Sequence, residues 1–128
     1  MQALQVFAGA RARAHLRERG LAPSDVRVVP AAAGGPKGLA LNAIDRFVFG
    51  HWLKGGTQTV HLLGASIGAW RMAAACRADA DAALAELADD YIAQDYPHEP
   101  GKAPKKADVT RIFGQTLQQR LGAHANEL

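Results

Sequence analysis

The chain has 128 residues, 48% of them hydrophobic and 21% charged, with 15 basic and 12 acidic side chains and a formal net charge of +3. That is the material of one globular domain, and Lys, Arg, Asp or Gly interrupts every apolar run well short of the roughly 20 residues a transmembrane helix needs. The charge is too evenly balanced, and the basic residues too poor in interleaved aromatics, for a nucleic-acid binder.

Residues 1–10 are apolar but have no basic segment ahead of them, which argues against a secretory signal. The one cysteine, Cys76, can make no internal disulfide, and in its Ala-rich surroundings it reads as a small buried hydrophobe. These features fit a cytoplasmic protein.

In chain order, residues 10–19 are rich in Ala and Arg and predict a helix, stopped by Gly20 in the usual position after the last turn. Pro23, Ser24 and Asp25 form a turn. Val26, Val28 and Val29 then predict a short buried strand. After the small residues 31–35, Pro36 suits the first turn of a helix over residues 37–52, where its missing N–H costs nothing.

Gly55 and Gly56 break the chain, and residues 57–63 predict a second strand, on which His61 would pack or hydrogen-bond. A helix follows at once over 67–77. Strand, crossover helix, strand and helix in succession imply a right-handed parallel unit.

The last third predicts helices. Asp81 can cap one whose apolar side carries Leu84, Leu87, Tyr91 and Ile92, with Glu86, Asp89 and Asp90 on a solvated side. A proline- and lysine-rich loop spans 97–106. Asp108 then caps a final helix bearing Val109, Ile112, Phe113, Leu117 and Leu121, ended by Gly122. Trp52, Trp70 and Phe47 read as core. Two strands alone make a poor open sheet, so the pattern points to a truncated domain whose other strands lie elsewhere.

Gly64-Ala65-Ser66-Ile67-Gly68 is a G-x-S-x-G between a strand and a helix, the context of a nucleophile elbow. Small residues two positions either side let the turn close. The turn lifts the Ser66 hydroxyl above the strand end and aims the helix N-terminus at a reacting carbonyl. Gly34-Gly35-Pro36-Lys37-Gly38 follows the first strand, and its backbone amides suit an oxyanion or a phosphate. It has neither the spacing of a P-loop nor that of a dinucleotide fingerprint. Read alone, it is equally well a structural turn.

Together these segments resemble the patatin-like phospholipases, lipid acyl hydrolases with a loop D-G-G-G-x-[RK]-G after one strand and a G-x-S-x-G elbow after the next. Residues 32–38 look like the loop and residues 64–68 like the elbow, in the same order. The resemblance implies an α/β chain holding part of a three-layer fold, with a short parallel sheet flanked by helices and a helical C-terminal third. The chain reads as a single truncated domain over 1–128, with a core motif region at 26–77, which the resemblance covers together with the leading helix, and a helical segment at 81–122.

It further implies a Ser–Asp dyad in which Ser66 attacks an ester carbonyl and is acylated, and water then releases the acid. Gly34 and Gly35 would donate oxyanion amides, Gly64 and Gly68 shape the elbow, and Lys37 matches the loop's basic position. Lys37 would orient the loop, meet a lipid phosphate or simply be solvated. Ala32 and Ala33 replace the family's acidic residue and first glycine. No aspartate here is followed by glycine, as the family's catalytic one is, so the base is expected outside this chain and the chain alone is expected to be nearly inactive.

Two other readings stay open. An α/β-hydrolase triad would need His98 or His124, the histidines after Ser66. A non-catalytic remnant or assembly module would pair its uncovered strands with a partner or a second copy. No metal-ligand spacing is present, and no metal or cofactor is expected. The substrate would be a phospholipid, a glycerolipid or a small ester, with an acyl pocket built largely from residues not in this chain. Transient contact with a membrane surface is compatible with such a substrate, although the acidic residues 81–95 offer no anchor for anionic lipid.

Overall fold

Val28 and Val29, both β-branched, begin strand β1 (Val28–Ala31), and Leu62 and Leu63 lie in strand β2 (His61–Gly64). In the computed structural model, which describes residues 5–127, the strands pair in parallel with Val28 opposite His61 and Ala31 opposite Gly64. Residues 1–4, the start of the apolar N-terminal stretch, lie outside the described residues. Among the described residues five α-helices accompany this sheet: α1 (Ala10–Arg19), α2 (Asn42–Phe47), α3 (Ile67–Cys76), α4 (Ala80–Ala93) and α5 (Lys106–Leu121). The chain is therefore mixed α/β and mostly helical. No helix among the described residues is long and apolar enough to cross a membrane.

A parallel pair needs a crossover, and residues 35–52 supply it in three pieces rather than the single helix expected over 37–52. A tight 3₁₀ segment (Gly35–Leu41) leads into α2, which widens into a π turn (Val48–Trp52). The start of α4 accounts for the wide turn. A side chain at Gly50 would stand 2.8 Å from the Asp81 Cβ, so the backbone itself is the contact surface there. The same turn carries Phe49 into the core.

That core is built on small residues. Ala74 of α3 and Ala80 and Ala83 of α4 are buried where the two helices approach. Leu84, fully buried, and Met72 and Leu87 fill the space between them. Burying a side chain such as Leu84 is worth about 1.5–3 kcal/mol. Val29 and Leu62 pack against this cluster from one face of the sheet. The alternate residues Val28 and Leu63 face the other way and are 49% and 59% exposed.

Several expectations change at helix ends and faces. Asp79, not Asp81, occupies the cap position of α4, while Asp81 turns to Arg46 of α2 at 2.8 Å. That guanidinium holds the Asp81 carboxyl below its ordinary range. Lys105 precedes α5, and Asp108 lies in its first turn and pairs with Arg111. Gly122 does not end the helical path, which tightens into a 3₁₀ segment (Gly122–Glu127).

Glu86 and Asp90 are not merely solvated, because both bind Arg120 of α5. Phe47 and Ile92 are exposed at 59% and 72%, so neither is core. Cys76 is exposed rather than buried, yet partial burial still raises its thiol pKa, which disfavours the reactive thiolate. His61 is exposed, and its contribution to the sheet is a backbone N–H donated to the Arg27 carbonyl.

The feature that ties the crossover to α3 is a buried ion pair. Arg71 Nε and Nη2 donate to the two Asp45 carboxylate oxygens at 2.6 and 2.8 Å. Both side chains are only 9% exposed. Removing one partner strands a buried charge, at a cost of about 3–5 kcal/mol, whereas replacing both with apolar groups is often neutral. Asp45→Leu alone and Arg71→Met alone should each lower the urea unfolding free energy by about 3 kcal/mol or more, and the double variant should recover most of it. Additive losses in the double variant would show that the two groups do not act as a pair.

Candidate active site

Strand β2 ends at Gly64 and α3 begins at Ile67, so only Ala65 and Ser66 make the turn. Ala65 donates its N–H to the Ala31 carbonyl at 3.1 Å, extending the parallel ladder into the turn. Ser66 then adopts φ 54°, ψ −128°, making it the one non-glycine residue at positive φ among the described residues. Such a conformation costs about 1–3 kcal/mol and persists only where its surroundings dictate it.

Those surroundings are backbone on backbone. A Cβ on Gly68 would run into the Ala31 carbonyl, 2.7 Å from its carbon, and stand 2.8 Å from the Ala32 oxygen. A Cβ on Gly64 would stand 2.5 Å from both the Ala69 nitrogen and the Gly68 oxygen. Any side chain at either position would push α3 off the strand ends. The two glycines of the G-x-S-x-G are therefore required by close approach, and the residue left at the apex is Ser66, which is exposed.

The start of α3 adds a donor that the sequence motif alone did not single out. The N–H groups of Gly68 and Ala69 go to the carbonyls of Ala65 and Ser66. The Ile67 N–H, next after the serine, is one of the helix-start donors without an intrahelical acceptor. The helix dipole adds positive potential at the same end. In a strand–serine–helix turn, the amide after the serine is where an oxyanion donor is expected.

Gly35, at φ 52°, lines one pocket of about 210 Å³ together with Ser66. A Cβ on Gly35 would meet nothing, so its positive φ is what favours glycine there. Gly34 is exposed, and its carbonyl accepts the Lys37 N–H at 3.3 Å, closing the loop without placing Gly34 on the pocket wall. The Lys37 side chain is exposed and makes no ion pair among the described residues. Of the two amides expected beside Ser66, the fold brings Gly35 to the pocket and leaves Gly34 at the rim of the loop.

The candidate bases go elsewhere. His98 Nδ1 meets the Tyr96 carbonyl at 2.8 Å, and His124 Nδ1 meets Glu127 at 2.6 Å. Asp79 pairs with Arg77, Asp108 with Arg111 and Asp90 with Arg120. Asp95 is exposed on the loop after α4. Among the described residues, no carboxylate or imidazole is hydrogen-bonded to the Ser66 hydroxyl.

Trp70, expected as core, is half-buried and has two roles. It packs against the core and forms a wall of the Ser66 pocket, with its ring edge-on to Phe113 at 5.6 Å. Tyr96 borders the same pocket. Burial, and to a lesser extent Tyr91, raise its phenol pKa, so it stays protonated.

Compared with known proteins, the chain matches no family profile, no curated protein and no solved structure.

The glycines provide the direct check on this geometry. Gly64→Ala and Gly68→Ala should each destabilise the protein by about 3 kcal/mol or more, the upper end of overpacking costs. Gly35→Ala, which meets open space, should cost only about 1–2 kcal/mol from its left-handed backbone. Equal losses at the three positions in urea unfolding would contradict the close approach of α3 to the strand ends.

Proposed function

We propose that this chain carries the nucleophile and oxyanion half of a serine acyl hydrolase, similar to the patatin-like lipid acyl hydrolases in its Ser66 elbow and preceding glycine loop. The observation that carries the reading is the Ser66 backbone. A serine is held at φ 54° by two glycines that admit no side chain, at the mouth of a pocket and at the start of a helix. A serine that only closed a turn would be replaced by glycine at lower conformational cost.

In this reading the Ser66 hydroxyl oxygen attacks an ester carbonyl carbon, and a base takes its proton. The Ile67 and Gly35 amides donate to the oxyanion that forms. Collapse of the tetrahedral intermediate expels the alcohol, which takes the proton back, and leaves the acyl group on Ser66. Water then attacks the acyl-enzyme with the same base and releases the acid. No described carboxylate or histidine is hydrogen-bonded to the Ser66 hydroxyl, and the patatin-like resemblance implies that the base is an aspartate this chain does not supply. This also argues against a triad built on His98 or His124.

The exposed sheet face at Val28 and Leu63 supports a second reading, an assembly module that covers this face with another chain. Concentration-dependent association without any serine reactivity would favour it.

A fluorophosphonate carrying a small ethyl group tests the first reading, with the modified residue located by mass spectrometry. Slow labelling is expected at Ser66 and nowhere else, and Ser66→Ala should abolish it. Ester hydrolysis by this chain should reach no more than about 10³ to 10⁴ times the water background, the level left when a member of the catalytic unit is missing. Labelling confined to other residues would sink the nucleophile assignment.

A further inference from the structure

The pocket beside Ser66 is walled by residues far along the chain. Trp70 of α3, Tyr91 of α4, and Val109 and Phe113 of α5 line a half-open pocket with the serine and Gly35. The aromatic side chains hold one another edge-on, Phe113 lying 5.6 Å from Trp70 and 6.4 Å from Tyr91 between ring centroids. None of the lining residues is charged. Trp70, Val109 and Phe113 offer no ion-pair partner and suit an uncharged hydrocarbon group, whose burial is favourable, while the polar end of a ligand is left to the residues beside Ser66.

Size narrows the ligand further. The pocket holds about 210 Å³. At roughly 30 Å³ per heavy atom, the share of a water molecule in the liquid, that is room for about seven heavy atoms, or an acyl group of about six carbons.

We infer that this pocket is the acyl site of the proposed hydrolase and that it selects short-chain carboxylic esters, with Phe113 and Val109 setting the length limit. The inference rests on Ser66 being the nucleophile, because only then does the group beside it become the acyl part of a substrate. It differs from the expectation that the acyl pocket is built largely from residues outside this chain, since Tyr91 of α4 and Val109 and Phe113 of α5 supply part of the wall.

The test reads binding rather than turnover, so it does not depend on the missing base. It uses the chain with Ser66→Ala, and with Trp52→Phe so that Trp70 is the only fluorophore of its kind. Straight-chain carboxylates carrying a terminal bromine, from butanoate to dodecanoate analogues, are titrated while Trp70 quenching is followed. A merely greasy surface would bind each longer chain about fourfold more tightly per added methylene. A pocket of this size should follow that trend only to about six carbons and then level off, so that the longest chain binds at least tenfold more weakly than the trend requires.

Phe113→Ala should move the limit to longer chains. Val109→Phe, which fills the pocket, should weaken the six-carbon acid at least tenfold while the circular dichroism stays unchanged. Affinity that climbs through the whole series, or a limit that neither variant moves, would overturn the inference. Ethyl fluorophosphonate labelling of Ser66 without a chain-length limit would refute the pocket and leave the nucleophile standing. A limit without labelling would refute the nucleophile, and the acyl assignment with it.

Discussion

The structure turns on one close approach, the first turn of α3 lying directly on the ends of β1 and β2. At Gly68 the helix backbone touches the carbonyl groups of Ala31 and Ala32, and at Gly64 the strand backbone touches Ala69. With no side chains between them, the helix starts two residues after the strand stops, and the connecting backbone has one path to follow. That path forces Ser66 into φ 54°. The strain of about 1–3 kcal/mol is small beside the burial of the α3–α4 core, where a single leucine such as Leu84 contributes a comparable amount. The turn is therefore held from below by packing, and the serine has no freedom to relax.

The same core explains why the glycine loop is positioned relative to the elbow. The loop leads into α2, and α2 is joined to α3 by the buried pair of Asp45 and Arg71. Both Asp45 oxygens accept from the guanidinium, so this carboxylate is a strut between two helices. Arg46, the next residue, reaches in another direction to Asp81 of α4. Adjacent residues of α2 thus tie it to both neighbouring helices. Gly35 and Ser66 line one pocket because three separate segments are fastened at α2.

How much of this the sequence disclosed depended on range. The elbow is local: five consecutive residues contain the strand end, the small flanking positions, the serine and the helix start, and the pattern names them all. The helix over Ala10–Arg19 and its stop at Gly20 were legible for the same reason. The Asp45–Arg71 pair was not, because its members lie 26 residues apart, each in the middle of an ordinary helical stretch. The π turn at Gly50 was hidden too, since its cause is contact with α4, which is unreadable until the helices are packed. Asp81 looked like a cap because short-range rules favour aspartate there, and a tertiary partner, Arg46, took it instead. The walls of the Ser66 pocket illustrate the same limit. Trp70, Tyr91 and Phe113 read as hydrophobic helix faces, and only the fold shows that they converge on the serine.

The two sides of that pocket are held with unequal strength. The serine side rests on backbone contacts and on the buried core. The far side is α5, in which no residue is fully buried. Its tether to α4 is Arg120, which binds Asp90 at 2.6 Å and Glu86 at 3.2 Å, with the arginine 41% exposed. Ion pairs this accessible to water contribute about 0.2–1 kcal/mol each. Phe113 supplies the more important contact, inserted edge-on between Trp70 and Tyr91, and such aromatic pairs add about 0.5–1.5 kcal/mol beyond the area they bury. A helix held by a few such contacts opens at lower free energy than the core it leans on. Under the proposed function the nucleophile would sit on the more firmly held half of the molecule and the acyl group against the less firmly held one, so changes at Val109 or Phe113 would alter what the pocket admits without disturbing the turn that carries Ser66.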